Sequence, residues 1–268
     1  MNILFIGDVV GRPGRRLLTE TLPGLKEEFG VNMTIANGEN SAGGIGITAK
    51  TARELFDAGV DLITTGNHIW DQREALKFVD REPRLLRPLN YPPDTTPGQG
   101  MGIVKTPQGA NVAVLNVHGR VFIPTGFSCP FRAVEAQLVE LKASSSPPTH
   151  IIIDFHAEAT SEKIALGRYF DGSVTAVLGT HTHVQTADAA VLQHGTGYVT
   201  DVGMTGPADG VIGVDAVPII EQFYTQLPAR FRVAKGRRML NAVLLKCDPE
   251  GAPAHTRTID LIRRFYDE

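Results

Sequence analysis

The feature that most constrains this chain is a repeated one: short strand-like runs that break off into polar, ligand-forming side chains, most often after a glycine. Residues 3–6 run into Gly7-Asp8, 31–36 into Gly38-Glu39-Asn40, and 60–65 into Gly66-Asn67-His68. Residues 151–155 end at His156, and 174–178 end in Gly179-Thr180-His181-Thr182-His183. Apolar runs of this length, bounded by turn formers, read as buried strands. Between them lie amphipathic stretches. Residues 13–29 carry Leu17, Leu18, Leu22, Leu25 and Phe29 at helical spacing, with Pro23-Gly24 expected to divide the stretch. Residues 48–58 read as a helix with Thr48 as N-cap and Gly59 just past its end. Further helices are expected at 70–80, 130–143, 161–170 and around 216–226. The pattern predicts an antiparallel pair at 101–104 and 112–117 around Pro107-Gln108-Gly109, after a Pro/Gly-rich loop at 88–100. Short strands at 189–193, 197–202 and 242–247 complete the reading. Early βα alternation followed by a strand-rich half implies an α/β fold with mixed sheets. A domain boundary at 144–148 is disfavoured because the polar strand ends fall on both sides of it, so residues 1–268 are read as a single domain.

Composition narrows the function. The 268 residues are 42% apolar and 21% charged with a net charge of −3, which excludes a disordered chain and argues against long nucleic acid as a ligand. Cys129 and Cys247 lie far apart with no CxxC, so neither a disulfide framework nor a thiolate zinc site is expected, and a reducing cytoplasm fits. No apolar run approaches the roughly 18 residues of a membrane helix, and the N-terminal run lacks the basic flank of a signal peptide.

In open α/β sheets, ligands bind beyond the carboxyl ends of the strands, so the polar strand ends can converge on one rim. Asp8 to Glu39 is 31 residues, Glu39 to Asn67 is 28, and His156 to His181 is 25, each the length of one strand–helix unit. Taken singly, Asp8 reads as a turn residue, Asn67-His68 as a helix cap and His156 as a core histidine. Together they offer carboxylates, a carboxamide and imidazoles, a donor set that suits divalent transition ions. His181 and His183, two apart, share a face on a continuing strand or reach different ions from a tight turn. The glycines of these motifs are expected to let the backbone turn sharply.

The ordered set Gly7-Asp8, Gly38-Glu39-Asn40, Gly66-Asn67-His68, His156 and Gly179-Thr180-His181-Thr182-His183 resembles the calcineurin-like metallophosphoesterases. The wording Gly7-Asp8-Val9-Val10-Gly11 and His181-Thr182-His183-Val184-Gln185 is similar to their YmdB-like branch. The resemblance implies a four-layer α/β/β/α sandwich with two mixed sheets and a dimetal site at the strand C-termini. It implies one ion held by Asp8, Glu39 and His183, with Asn40 completing the set, and a second held by Glu39, Asn67, His156 and His181. The ions implied are iron or manganese, with zinc as another choice. His68 is then the catalytic general acid, protonating the leaving oxygen while a hydroxide shared by the ions attacks phosphorus. Two departures stand out: Val10 occupies a position where the superfamily has histidine, and Glu39 replaces its bridging aspartate.

The expected activity is hydrolysis of small phosphodiesters, cyclic nucleotides in particular. A phosphomonoesterase such as a nucleotidase, and a metal-binding regulatory module with little turnover, are the alternatives. A nuclease is disfavoured by the missing basic stripe. His118, at the end of the 112–117 strand, is assigned either support of the donor residues from behind or a substrate contact. Arg12, Arg15 and Arg16 offer either a phosphate contact or a solvated helix face, and residues 201–206 either a pocket edge or a turn. The partner is a small phosphoester, and the sequence leaves open whether the chain forms a homo-oligomer.

Overall fold

The computed structural model describes residues 1–92, 95–123, 126–251 and 253–267; Pro93, part of the expected 88–100 loop, lies outside them. The N-terminal part contains β1 (Asn2–Ile6), β2 (Asp8–Val9), α1 (Gly11–Phe29), β3 (Met33–Asn37), α2 (Ala49–Asp57), β4 (Leu62–Thr64) and α3 (Ala75–Phe78). Next come β5 (Met101–Lys105), β6 (Asn111–His118), α4 (Pro130–Ala143), β7 (His150–His156), α5 (Thr160–Tyr169) and β8 (Ala176–Thr180). The C-terminal part holds β9 (Ala190–Val191), β10 (Gly197–Val199), β11 (Met204–Pro207), α6 (Ala216–Thr225), β12 (Arg238–Cys247) and β13 (Thr256–Tyr266).

Alternation along the strands builds the layers. In β1, Ile3 and Phe5 enter one core while Leu4 and Ile6 enter another. β1 and β3 pair in parallel, as do β3 and β4, and β12 runs antiparallel between β1 and β13. The second sheet has the order β5-β6-β7-β8-β10-β9, with a parallel centre and antiparallel edges. Met33, Ile35 and Phe5 of the first sheet meet Val112, Val114, Ile152 and Leu178 of the second in a shared core. On the outer faces, Leu17, Leu18, Leu22 and Leu25 of α1 cover the first sheet, and Val134, Leu138 and Leu166 of α4 and α5 cover the second. The result is the expected four-layer α/β/β/α sandwich with two mixed sheets.

Several boundaries differ from expectation. Pro23 and Gly24 do not divide α1, which runs unbroken from Gly11 to Phe29. Leu22 and Leu25 continue the buried face of Leu17 and Leu18 across Pro23, and burying that stripe outweighs the one backbone hydrogen bond proline cannot make. The 70–80 helix shrinks to α3 and a 3₁₀ turn at Val79–Arg81, with turns over the preceding residues. The strand expected at 242–247 begins at Arg238, and β13 and β11 were not foreseen. Thr48 caps α2 in a reciprocal capping box with Thr51, and Gly59 takes φ +107° just after the helix, as the sequence predicts.

Candidate functional site

The ends of β1, β3, β4, β7 and β8 meet along one rim. From the first sheet come oxygen donors. Asp8 is fully buried; its Oδ2 accepts from the His181 backbone N–H at 3.4 Å, and its Oδ1 has no hydrogen-bond partner. Glu39 stands at the centre. Its Oε1 lies 3.1 Å from His156 Nε2 and accepts from Asn40 Nδ2 at 3.2 Å, while Oε2 accepts from the His68 backbone N–H at 3.2 Å. Asn67 Oδ1 lies 3.1 Å from His156 Nε2.

The second sheet supplies imidazoles. His156 Nε2 is 3.0 Å from His181 Nδ1. His183 Nε2 points elsewhere, 3.1 Å from Asn40 Nδ2 and 3.7 Å from Asp8 Oδ1. The side chains therefore form two groups that meet at Glu39: Asp8, Asn40 and His183 in one, Asn67, His156 and His181 in the other. The tight-turn reading of His-x-His is the one that applies. His181 and His183 both carry positive φ, +101° and +65°, a conformation that costs a non-glycine residue on the order of 1–3 kcal/mol and is held only by its surroundings.

The glycines of the motifs act differently from expectation. Gly7, Gly38, Gly66 and Gly179 have no positive φ; they permit close approach. A Cβ on Gly66 would lie 2.2 Å from His156 Cδ2 and 2.4 Å from Glu39 Oε2, filling the space that the ligand-forming atoms surround. That space fits an ion. Glu39, His156 and His181 offer ligand atoms all within 4.8 Å of one another, Asp8 Oδ1 is an orphaned buried oxygen beside them, and mixed N/O donors suit divalent transition metals.

Residues that the sequence did not single out hold the imidazoles. The Thr180 hydroxyl donates to Asp154 Oδ1 at 2.7 Å and accepts from His156 Nδ1 at 2.9 Å. That fixes the tautomer and leaves the Nε2 lone pair facing Glu39 and Asn67. Glu158 Oε2 lies 2.9 Å from His181 Nε2, so the His181 Nδ1 lone pair faces inward. The Ile212 carbonyl takes His183 Nδ1 at 2.9 Å, freeing its Nε2 in the same way. Buried Lys163 pairs with Asp201 at 2.7 Å, and that carboxylate accepts from the Thr182 N–H and hydroxyl at 3.0 and 2.8 Å. The segment read as a pocket edge or a turn thus contributes the carboxylate that clamps the His181-Thr182-His183 turn, while Met204–Pro207 is strand β11. No short motif links these partners; Lys163 and Asp201 stand 38 residues apart.

The electrostatics match the geometry. Burial, and then the negative charge of Glu39, Asp201 and Asp154, pushes the Asp8 carboxyl well above its usual range. Burial pushes Asp154 up to about 7 against the hydrogen bonds of Thr64, Thr180 and Asn37. His156 and His181 are held down to about 4, chiefly by burial, and neutral imidazole is the form that binds metal.

His68 lines a cleft of about 580 Å³ with Glu39, Asn40, His181 and His183. Its Nδ1 lies 2.6 Å from Asp71 Oδ2, which leaves Nε2 as the nitrogen free for a substrate. His118 does not reach the cleft, which leaves the supporting position of its two alternatives. It is fully buried, stacked 4.1 Å from Phe127 and 5.4 Å from His156, behind the donor cluster rather than on the cleft wall. Arg12, Arg15 and Arg16 lie outside the cleft; Arg15 reaches Glu54 and the Ser41 carbonyl, and Arg16 pairs with Glu20. Among the described residues no helix is long and apolar enough to cross a membrane.

Comparison with known proteins agrees with this fold. The chain is 50% identical over 250 residues to the 2′,3′-cyclic-nucleotide 2′-phosphodiesterase of Bacillus subtilis (strain 168), covering 93% of this chain and 92% of that one. A crystal structure of a phosphatase from Mycoplasma pneumoniae superposes with a TM-score of 0.91 at 34% identity, covering all of this chain and 94% of the other. The calcineurin-like phosphoesterase YfkN of Bacillus subtilis shares the fold, with a TM-score of 0.60 at 11% identity over 98% of this chain and 90% of that one. The YmdB-like protein family model matches residues 4–259, and the chain belongs to that family.

Proposed function

We propose that the protein is a dimetal phosphodiesterase that hydrolyses small cyclic nucleotides. The observation that carries this reading is the convergence of two donor groups on Glu39, Asp8–Asn40–His183 on one side and Asn67–His156–His181 on the other. These seven residues would hold two divalent ions, with Glu39 between them. Iron or manganese is favoured over zinc, because hard oxygen donors make up half of the set and thiolate is missing from it. When bound, the ions supply positive charge against the phosphoryl oxygens and lower the pKa of water for attack on phosphorus.

The chain's own residues do the rest. Asp71 accepts the Nδ1 proton of His68, orienting the ring so that Nε2 delivers a proton to the departing oxygen. Asp154, Thr180, Glu158 and the Ile212 carbonyl hold protons on the outward nitrogens of the three ligand imidazoles. Gly66 keeps the centre of the cluster open. The rim draws on both sides of 144–148, which supports 1–268 as a single domain. The two free cysteines fit a reducing cytoplasm.

The test is anaerobic metal analysis of the purified chain together with assays on 2′,3′-cyclic nucleotides, bis(p-nitrophenyl) phosphate and p-nitrophenyl phosphate. Two ions per chain and a preference for diesters are expected. Hydrolysis of the monoester alone would make the protein a phosphomonoesterase. A fully loaded site with no turnover on any of these would make it a regulatory module.

A further inference from the structure

The cleft has a second half that the hydrolytic chemistry does not use. Besides the donor residues, its lining includes a largely apolar set, Ile45, Ile212, Val214, Phe231 and Val233, with Arg232 between the last two. Ile45, Ile212 and Phe231 are 44%, 48% and 51% exposed. Single exposed apolar residues need no explanation, but these share one concavity with a polar, ion-binding floor, as small-molecule sites do.

This wall is built in advance and is tied to the metal cluster. Val214 bridges Val233, Asp215 N–H donates to the Arg232 carbonyl at 2.8 Å, and Ala234 N–H donates to the Gly213 carbonyl at 3.0 Å. Ile212 links the two halves directly, because its carbonyl takes His183 Nδ1 while its residue lines the cleft. A ligand with its phosphate on the cluster shares this cleft with Phe231 and Val233. An aromatic face among aliphatic side chains selects a flat, apolar-faced group, and every nucleobase has one. The volume of about 580 Å³ lies within the roughly 300–1,000 Å³ range of small-ligand sites.

We propose that this wall is the nucleobase subsite: Phe231 stacks on the base of a nucleoside 2′,3′-cyclic phosphate whose cyclic phosphate lies on the donor cluster. The inference rests on the phosphodiesterase reading and adds the place where the base is held and the side chain, Phe231, that discriminates for it.

Two measurements on the full, metal-loaded chain test it. The first compares kcat/KM for 2′,3′-cyclic AMP and for ribose 2′,3′-cyclic phosphate, which differ only in the base. Wild type prefers the nucleotide, Phe231→Ala reduces that preference roughly tenfold through KM, and Phe231→Trp restores it. Phe223→Ala, on the exposed face of α6 away from the cleft, leaves the ratio unchanged. The second, calorimetric binding of adenosine 3′-monophosphate against ribose 3-phosphate, needs no turnover and is expected to show the same order. Equal handling of both ligand types by wild type, or an unchanged preference in Phe231→Ala, overturns the subsite. Hydrolysis of neither substrate, with the binding preference intact, overturns the phosphodiesterase reading and leaves the subsite standing.

Discussion

The two sheets contribute to the rim in different chemical currencies. The first, through β1, β3 and β4, brings the oxygens of Asp8, Glu39 and Asn67, with Asn40 turning its Nδ2 toward Glu39 and His183. The second, through β7 and β8, brings the imidazoles of His156, His181 and His183. An oxygen donor presents lone pairs however its neighbours are protonated, once it is ionised or is a carboxamide. An imidazole does so only when its other nitrogen keeps the proton. The nitrogen side accordingly carries the heavier scaffold: Asp154 with Thr180, Glu158, the Ile212 carbonyl, and the buried Lys163–Asp201 pair beneath two residues at positive φ. The oxygen side is held largely by strand ends and close glycine contacts.

The contrast can be broken at four points, from the largest effect to the smallest. His68 is the imidazole that stands on the oxygen side, at the end of β4, and the role proposed for it there is proton delivery. His68→Ala should lower kcat by roughly 10²–10⁴-fold while metal content stays full; a parallel fall in bound metal would make it a ligand instead. Lys163→Met leaves Asp201 buried without its cation. A stability loss of about 3–5 kcal/mol is expected in denaturant unfolding, accompanied by weaker metal retention; an unchanged midpoint would show that the Thr182 and Gly203 hydrogen bonds suffice.

Thr180→Val keeps the branched shape but removes the hydroxyl between His156 and Asp154. Metal affinity in chelator competition should drop by about 10–100-fold, and an affinity equal to wild type would dismiss tautomer control at this histidine. The smallest effect, read per pH unit, concerns His118, whose imidazole is driven down to about 3, first by burial and then by His156. Below its ordinary value the unfolded chain takes up a proton there that the folded chain refuses. Stability from this residue is therefore present above about pH 6.5 and is lost as the pH falls toward 3, by about 1 kcal/mol per pH unit. His118→Phe should flatten that part of the pH dependence of the unfolding free energy; an unaltered slope would place the titration elsewhere.

The same contrast explains what was legible in the sequence. Each donor sits where a strand stops, and that position shows in the sequence as an apolar run with a polar terminus. Asp8, Glu39, Asn67 and His156 could thus be picked out and aligned on one rim before any geometry was known. Their supports could not, because Lys163 meets Asp201, and Thr64 meets Asp154, only after the sheets have packed. The choice between the two readings of His118 was hidden for a related reason: it ends β6 as the others end their strands, and only the fold shows Phe127 covering it. In the fold, β13 went unseen because Arg257, Asp260, Arg263 and Arg264 interrupt its apolar positions along a largely exposed face. β11 was hidden by Gly206 and Pro207, which read as turn formers but lie beside β12. Pro23 misled in the opposite direction, since tertiary packing of α1 overrides the local preference.

One consequence concerns the order in which the chain is made. Asn37 reaches across 117 residues to Asp154, and the His181 backbone across 173 to Asp8. During synthesis from the N-terminus, the oxygen donors leave the ribosome long before the three ligand imidazoles. A nascent chain that has not yet reached His156 carries carboxylates and carboxamides suited to magnesium or calcium, without the nitrogen set that suits a transition ion. Under the two-metal proposal, metal choice would be deferred until the second sheet closes onto the first, and the late histidines would decide which ion stays.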